Sequence, residues 1–307
     1  MTKPRVVAIV GPTASGKSAL AVELALKLNA EIIGADSMQV YRYMDIGTAK
    51  PTVEERQGVL HHMIDIVNPD EEFSVSDYRE MASGVIKEIH GRGKTVIIAG
   101  GSGLYLRALT KGLVDTPEGD STLREELNRE AEEKGREYVH EKLKSLDPIS
   151  AERIHPNNIV RVIRALEVAI KSEETLSEIQ AEHAFGESPY EVMMVGIDVD
   201  RDSLYKRIEE RVDRMMAAGL KKEVETLLDM GYDRHLKPMR GVGYKEMCAH
   251  ILDGLPLIEA VELIKRDSRR YAKRQMTWFR KEDVTWNPFD NMKNGDLLNE
   301  IKSFLKD

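Results

Sequence analysis

Residues 11–18 read Gly11-Pro12-Thr13-Ala14-Ser15-Gly16-Lys17-Ser18, matching G-x-x-x-x-G-K-[ST] at every fixed position. An apolar run, Arg5-Val6-Val7-Ala8-Ile9-Val10, leads into the loop, and Ala19-Leu20-Ala21-Val22-Glu23-Leu24-Ala25 continues it as a helix. Strand, glycine-punctuated loop and helix, in that order, are the setting in which a backbone cradles phosphates. The glycines let the loop curl until successive N–H groups point at one anion, and the helix N-terminus adds its partial positive charge. Lys17 supplies a full charge for a terminal phosphate, and the Ser18 hydroxyl is a candidate Mg²⁺ ligand. The stretch predicts a di- or triphosphate site.

Three further apolar runs follow: Glu31-Ile32-Ile33-Gly34-Ala35, His62-Met63-Ile64-Asp65-Ile66-Val67 and Thr95-Val96-Ile97-Ile98-Ala99. Helical segments separate them, notably 75–90, with Tyr78, Met81, Val85, Ile86 and Ile89 on one stripe. Strands alternating with helices predict an α/β fold with a parallel sheet covered on both faces. Ligands then collect beyond the C-terminal ends of the strands, so the residues just after each run are the ones that carry chemistry.

From about Asp115 the texture changes. Residues to about Ser188 are charge-rich and helical by period, with helix starts at Asp147-Pro148, at Asn157-Asn158 and at the capping box Thr175-x-x-Glu178. A fifth apolar run, Val192-Met193-Met194-Val195-Gly196-Ile197, then returns the chain to the sheet. The expected organisation is a P-loop NTPase-like core of residues 1–114 and 191–307, with an α-helical insertion domain at 115–190. The remainder reads as helices at 202–218, 221–230, 244–252 and 257–280, with the glycine-punctuated turn Arg240-Gly241-Val242-Gly243-Tyr244-Lys245 among them.

At 307 residues and 41% hydrophobic the chain can bury a sizeable core, and 32% charged residues leave a well-solvated surface. The net charge of −8 does not advertise a nucleic-acid binder, although a local basic patch escapes that average. Cys248 is the only cysteine, which excludes an internal disulfide and a cysteine-based zinc site, and reads as a small buried hydrophobe. Neither a leader peptide nor a stretch of about eighteen apolar residues is evident, so a soluble cytoplasmic protein with no membrane contact is expected.

Asp36 heads Asp36-Ser37-Met38-Gln39-Val40-Tyr41, directly after the second run. Facing a phosphate site, its carboxylate is a Mg²⁺ ligand, a general base or a hydroxyl-positioning group, and the residues alone do not choose. After the fourth run, Gly100-Gly101-Ser102-Gly103 reads as a second close-approach loop, with Ser102 its only hydroxyl. A motor or switch NTPase carries an apolar strand ending in Asp opposite the phosphate-loop hydroxyl. Here the fourth run ends in Ala99-Gly100, Ile197-Asp198 comes late, and no N-K-x-D appears. The loop is expected to hold a reacting substrate.

A third constellation lies at 265–281, where eight Lys and Arg face one Asp. Arg266, Arg270, Lys273 and Arg274 share a helix face at spacings of three and four, and Trp278 and Phe279 follow as candidate stacking residues. Concentrated in an acidic chain, this helix reads as a track for a nucleic-acid backbone. Arg161 and Arg164, at i and i+3 on an insertion helix, would extend it.

Taken in order, GPTASGKS at 11–18, DSMQVY at 36–41, DIGTAKP at 45–51, GGSGLY at 100–105, NNIVRVIRALE at 157–167, RGVGYKE at 240–246 and RYAKRQMTWFR at 270–280 resemble the tRNA dimethylallyltransferase (tRNA isopentenyltransferase) family along nearly the whole chain. Ser102 stands where that family usually has Thr, which keeps the hydroxyl. The zinc finger that some eukaryotic members add at the C-terminus is not found by Asp307, as in the bacterial form.

The resemblance implies transfer of a dimethylallyl group from dimethylallyl diphosphate to N6 of the adenosine 3′-adjacent to the anticodon. It gives Asp36 the role of proton acceptor, and residues 11–18 with Mg²⁺ on Ser18 the leaving diphosphate. Arg211, which its neighbours alone would mark as an ordinary surface arginine, matches the family's diphosphate-gripping arginine. Ser102 would hydrogen-bond the diphosphate or the target nucleotide. Because N6 lies in a stacked loop the base must be turned out to reach Asp36, with Ser37, Met38 and Gln39 around it. Arg240, Lys245, Arg270, Lys273, Arg274 and Arg280 would hold loop phosphates, and the insertion, through Arg161 and Arg164, would clamp the anticodon stem by shape. A monomer is expected. The rival readings are a small-molecule kinase, a free-adenylate isopentenyltransferase and an RNA-binding nucleotide switch.

Overall fold

The computed structural model describes residues 3–113, 116–172, 174–183, 188–288 and 296–306. The chain divides into two compact units, Met1–Thr110 with Pro189–Asp307, and Lys111–Ser188.

In the first unit the apolar runs become parallel strands. These are β1 (Arg5–Val10), β2 (Ala30–Ala35), β3 (His61–His62), β4 (Thr95–Gly100), β5 (Glu191–Asp198) and β6 (Thr285–Pro288), in the spatial order β3-β2-β4-β1-β5-β6. Between the first four lie α1 (Lys17–Leu28), α2 (Val53–Arg56) and α3 (Val75–Gly91), and α4 (Gly103–Lys111) follows β4. β1 is flanked by β4 and β5, with Val7 opposite Ile97 and Met193. A strand so placed is covered on both faces, which is why Val6 to Val10 are all apolar and all fully buried. Side chains alternate between two cores. Val6, Ala8 and Val10 join Ile33, Val96, Ile98 and Tyr78 on one face. Val7 and Ile9 join Leu20, Leu24, Ile97 and Val195 on the other.

The chain leaves β1 toward β2 on one side and later returns to β5 on the other. Beyond the C-terminal ends of β1, β2 and β4 this reversal opens a crevice, the usual ligand position in such sheets.

The second unit holds α5 (Ser121–Lys134), α6 (Arg136–Leu146), α7 (Pro148–Arg153), α8 (Ile159–Lys171) and α9 (Leu176–His183). Its own core is built on Leu127, Val139, Leu143, Val162, Ile163 and Leu166. The three helix starts fall as read, with side-chain caps at two of them; Asn158 precedes α8 without a side-chain cap bond. Asp147 accepts from Ser150 N at 2.9 Å, and Thr175 and Glu178 exchange backbone N–H bonds. The fully buried Glu167 carboxylate takes Arg124, Arg164 and Asp120 N.

After β5 come α10 (Arg201–Ala217), α11 (Leu220–Asp229), a 3₁₀ turn at Pro238–Arg240, α12 (Tyr244–Asp253), α13 (Leu257–Phe279) and, past β6, α14 (Asp296–Lys306).

Three readings of the sequence need correction. The run 62–67 supplies only the end of a two-residue strand, because Met63 and Asp65 adopt φ of 63° and 54°. Its tail pairs instead with the loop after β2, through Asp65 N to Gln39 O and Ile66 N to Val40 O. On α3, Met81 is 44% exposed and Ala82 occupies the buried stripe between Tyr78 and Ile86. β6 carries no apolar run: it is an edge strand whose Trp286 lies over the side-chain-free face of Gly196.

Candidate active site

At the head of α1 the loop holds Gly16 at φ 93° and Ala14 at φ 63°, both left-handed. The bond from Ser15 N to Pro12 O closes the turn before α1, whose first turn carries no acidic residue. A cavity of about 410 Å³ opens beside it, at the strand ends. Thr13, Lys17, Ser18, Asp36 and Arg211 line one end, and Ile208, Val212, Met215, Val242, Ile264 and Tyr271 supply an apolar wall. A second cavity, about 840 Å³, shares Lys17, Ser18 and Arg211 and adds Ala14, Gly16, Arg207 and Arg214.

Lys17 Nζ donates to Pro12 O at 3.2 Å. Burial first, and the Arg211 guanidinium second, lower its pKa to about 8 against the opposing pull of Asp36. Arg211 reaches Thr48 O at 3.3 Å, and its own pKa is lowered by burial against the pull of Asp36. Two half-buried cations facing one cavity, with Asp36 the one carboxylate among its lining residues, form a site poised for a multiply charged anion.

Asp36 begins an Asx turn: its Oδ1 accepts from Met38 N at 2.9 Å and Gln39 N at 3.4 Å. Among the described residues its Oδ2 has no hydrogen-bond donor, which leaves an acceptor open on a residue of the cavity lining. Gly100 sits so tightly against β2 that a Cβ there would stand 2.0 Å from Ala35 O. That close approach lets Ser102 N reach Ala35 O at 3.0 Å.

The hydroxyl of Ser102 does not line the cavity. It accepts from Ser37 N at 2.9 Å and donates to Ser37 Oγ at 3.3 Å, so it braces the residue after Asp36. Ser37 and Gln39 do line the cavity, and the Gln39 Nε2 donates to Thr48 O and Ala49 O, both at 3.2 Å. Met38 lines the cavity, its methyl against Gly241, where a Cβ would approach within 2.7 Å. Gly11, Pro12 and Ser15 shape the loop without lining either cavity, and buried Ser15 Oγ has no hydrogen-bond partner among the described residues.

Arg240, Lys245 and Arg274 line the cavity around Gly241 and Gly243. Lys245 is paired with Asp267 at 3.0 Å, and Arg274 lies 5.6 Å from the Tyr271 ring. Arg270 is 63% exposed, and Lys273 and Arg280 are exposed. The expected stacking role of Trp278 and Phe279 gives way to packing. Phe279 is buried in the sheet core, and Trp278 covers Gly103 while Arg107 stacks on it at 4.4 Å. In the helical unit, Arg161 is exposed, whereas Arg164 is drawn into bonds with Glu167, Thr116 Oγ1 and Pro117 O. Only Arg161 of that pair keeps its charge for an outside ligand.

Three residues that sequence reasoning passed over organise this site. Gln275 Oε1 accepts from Thr13 N at 2.8 Å, and its Nε2 donates to Gly101 O at 3.0 Å. Tyr271 lines the cavity with a pKa raised to about 12, chiefly by burial and also by Asp36, while the neighbouring polar side chains of Ser102 and Gln275 and the Arg274 guanidinium pull it back. Glu223 accepts from the N–H groups of Asp45, Ile46 and Gly47. A signal existed for Gln275: it is an uncharged polar residue on the buried stripe of Ile264, Ala272 and Phe279. For Glu223 the sequence offers none.

The family model for IPP transferase matches residues 39–282. The chain belongs to the IPP transferase family. A family relative, a tRNA dimethylallyltransferase of Geotalea daltonii, is 56% identical over 285 residues, 92% of this chain and 87% of that protein. Among solved structures of the family, the tRNA isopentenylpyrophosphate transferase of Bacillus halodurans is similar at 44% identity. Its TM-score is 0.74, and the match covers 99% of this chain and 97% of that one. A eukaryotic dimethylallyltransferase acting on tRNA matches at 28% identity with a TM-score of 0.82, covering 98% and 77%. The family's α/β, P-loop NTPase-like sheet is thus the fold of this chain.

Proposed function

We propose that this IPP transferase is a tRNA dimethylallyltransferase. It transfers a dimethylallyl group from dimethylallyl diphosphate to N6 of the adenosine 3′-adjacent to the anticodon, giving N6-isopentenyladenosine. One observation carries the reading at this site: a single cavity joins Lys17, Ser18 and Arg211 to an apolar wall, with Asp36 in its lining. A phosphoanhydride carrying a short branched hydrocarbon fits that pairing of cations with apolar side chains.

In the reaction the C1–O bond of the donor breaks and its electron pair leaves on the diphosphate. The N6 lone pair forms the C1–N6 bond, and the N6 proton passes to the Asp36 carboxylate. An aromatic amine is a weak nucleophile, so a positioned acceptor for its proton lowers the barrier. Lys17, Arg211 and the N–H groups at the head of α1 receive the charge that develops on the leaving group. Ser102 acts through Ser37, holding the Asp36 turn in place.

The donor set suits a divalent cation shared with phosphates. Among the described residues no group of three His, Cys, Asp or Glu could hold one, while the Ser18 hydroxyl lines the cavity next to Lys17. Mg²⁺ is commonly held by few protein ligands plus phosphate oxygens and water. Bound at Ser18, it would offset charge on the departing diphosphate.

The RNA side of the reading rests on Arg240, Lys245 and Arg274 in the cavity lining, with Arg270 and Lys273 exposed on α13 and Arg280 just past its end. These would hold loop phosphates while the adenine is turned into the cavity; Arg161 would add a contact from the helical unit. No helix among the described residues is long and apolar enough to cross a membrane, and such a substrate puts the reaction in the cytoplasm.

The experiment offers labelled dimethylallyl diphosphate together with unmodified tRNA, AMP or ATP. Label entering tRNA alone supports the reading. Label entering AMP instead identifies a free-adenylate enzyme, and hydrolysis of ATP without prenyl transfer identifies a kinase or switch.

A further inference from the structure

Gln275 lies on α13, 262 positions from Thr13 and 174 from Gly101, and is 5% exposed. Its amide uses both of its ends. Oε1 takes the Thr13 N–H at 2.8 Å, and Nε2 gives a hydrogen bond to the Gly101 carbonyl at 3.0 Å. The glycine loop is shaped for this, since a Cβ on Gly101 would stand 2.1 Å from Nε2. One buried side chain therefore ties the loop after β1 to the loop after β4.

The residue following Thr13 makes this tie consequential. Ala14 sits at φ 63°, a conformation that residues other than glycine seldom hold. Such a residue persists only where its surroundings over-determine it. From within the loop, the Ser15 N to Pro12 O bond is long at 3.3 Å. From outside, Gln275 holds the N–H of the adjacent Thr13. If that anchor were lost, the turn at 12–15 could relax, and Lys17 and Ser18 would be carried with it.

We propose that Gln275 is a positioning residue for the diphosphate end of the cavity: by gripping Thr13 N and Gly101 O together, it holds the phosphate loop in register with the loop that braces Asp36. The assignment rests on the reading that residues 11–18 hold the donor's diphosphate. It goes beyond that reading by naming what sets the loop's geometry. Tyr271 and Arg274, four and one residues earlier on the same helix, line the cavity. The helix presenting cations to RNA thus also anchors the loop that grips the donor. An amide is required because the two bonds have opposite sense: Glu accepts but does not donate when ionised, and Met offers no donor and only a weakly accepting sulfur.

The test compares Gln275→Met and Gln275→Glu with the wild-type chain. It measures kcat, KM for dimethylallyl diphosphate, the tRNA Kd without donor, and the thermal midpoint. For Gln275→Met the donor KM should rise about tenfold or more, the scale of one lost buried hydrogen bond, with tRNA Kd within about twofold. For Gln275→Glu the donor KM should rise at neutral pH and fall back toward the wild-type value, compared at the same pH, as the solution is taken toward pH 6. A buried carboxyl protonates more readily than an exposed one and regains a donor for Gly101 O. A role in stability alone would not produce that pH-dependent recovery.

Lys17→Ala separates the two levels of the argument. If it leaves the donor KM unchanged, the loop is not the diphosphate site and the underlying reading fails. If it raises the donor KM while both Gln275 variants match wild type, the positioning role is refuted. Equal losses in donor and tRNA binding that follow a lowered midpoint, with no recovery of Gln275→Glu in acid, also refute it. Should Gln275→Met fail to fold, the pH profile of Gln275→Glu decides alone.

Discussion

The Tyr244 hydroxyl donates to Glu223 Oε1 at 2.7 Å, and the same carboxylate collects the N–H groups of Asp45, Ile46 and Gly47. A carboxylate with four donors is an anchor, and what it anchors is the loop whose Thr48 carbonyl accepts from both Gln39 and Arg211. Gly47 completes the fit, because a Cβ there would stand 2.5 Å from the Tyr244 ring. Removing the hydroxyl by Tyr244→Phe should cost about 1 kcal/mol and raise the donor KM through a less constrained Arg211. Gly47→Ala should cost more, since the aromatic ring must shift. Denaturant unfolding and steady-state kinetics check both; a stability loss with unchanged donor KM would separate the loop from Arg211.

Lys17, with a pKa near 8 in the folded chain, makes anion binding depend on pH. Below pH 8 it is charged and ready for diphosphate; above it, binding must draw a proton from solution. Affinity for inorganic diphosphate should therefore weaken as pH rises through about 8, and calorimetry in buffers of different ionisation enthalpy should report proton uptake. The linkage for stability runs the other way. Between about pH 8 and 10.5 the unfolded chain holds more protons on this lysine than the folded one, so its contribution to stability grows as pH rises. Flat affinity from pH 7 to 9 would contradict the lowered pKa.

Asp36→Asn keeps an Oδ1 for the Met38 and Gln39 N–H groups and so preserves the turn. It removes the proton acceptor, and kcat should fall by about 10²–10⁴ with tRNA affinity within a few fold. Single-turnover transfer to labelled tRNA is the measurement, and near-normal turnover would remove Asp36 from proton transfer.

Arg270→Ala and Arg274→Ala together should weaken tRNA binding and lower its salt slope by about one unit per lost phosphate contact. Filter binding between low and moderate salt reads this directly, and indifference would mean the basic face of α13 is only solvated surface.

The two arginines of α8 should separate in the same assays. Arg164→Ala takes a partner from buried Glu167, which keeps Arg124 and Asp120 N, and should cost about 1–2 kcal/mol. Arg161→Ala should leave stability within about 0.5 kcal/mol while weakening tRNA binding. Thermal melts with tRNA titrations distinguish them, and a stability loss on removing Arg161 would overturn the assignment.

The sheet, the phosphate loop and the helical unit were legible because each depends on residues close together in the chain. Five consecutive apolar residues in β1 imply burial on both faces. Gly16 before Lys17 implies a left-handed turn into α1, and Asp147-Pro148 and Thr175-x-x-Glu178 announce helix starts. The run at 62–67 misled because apolar composition does not reveal the left-handed backbone at Met63 and Asp65. β6 was missed because an edge strand resting on a glycine needs no apolar run.

What the amino-acid sequence alone determined is the set of local backbone demands and chemical groups: a loop for phosphates, a carboxylate after β2, a cationic helix near the end. Tertiary structure decided which groups touch: Ser102 braces Ser37, Trp278 covers Gly103, Arg164 serves Glu167, and Gln275 ties Thr13 to Gly101. The reason is physical. Backbone preferences act over a few residues and leave a local pattern, whereas a hydrogen bond between residues 262 positions apart exists only once packing has brought its partners together and excluded water from between them.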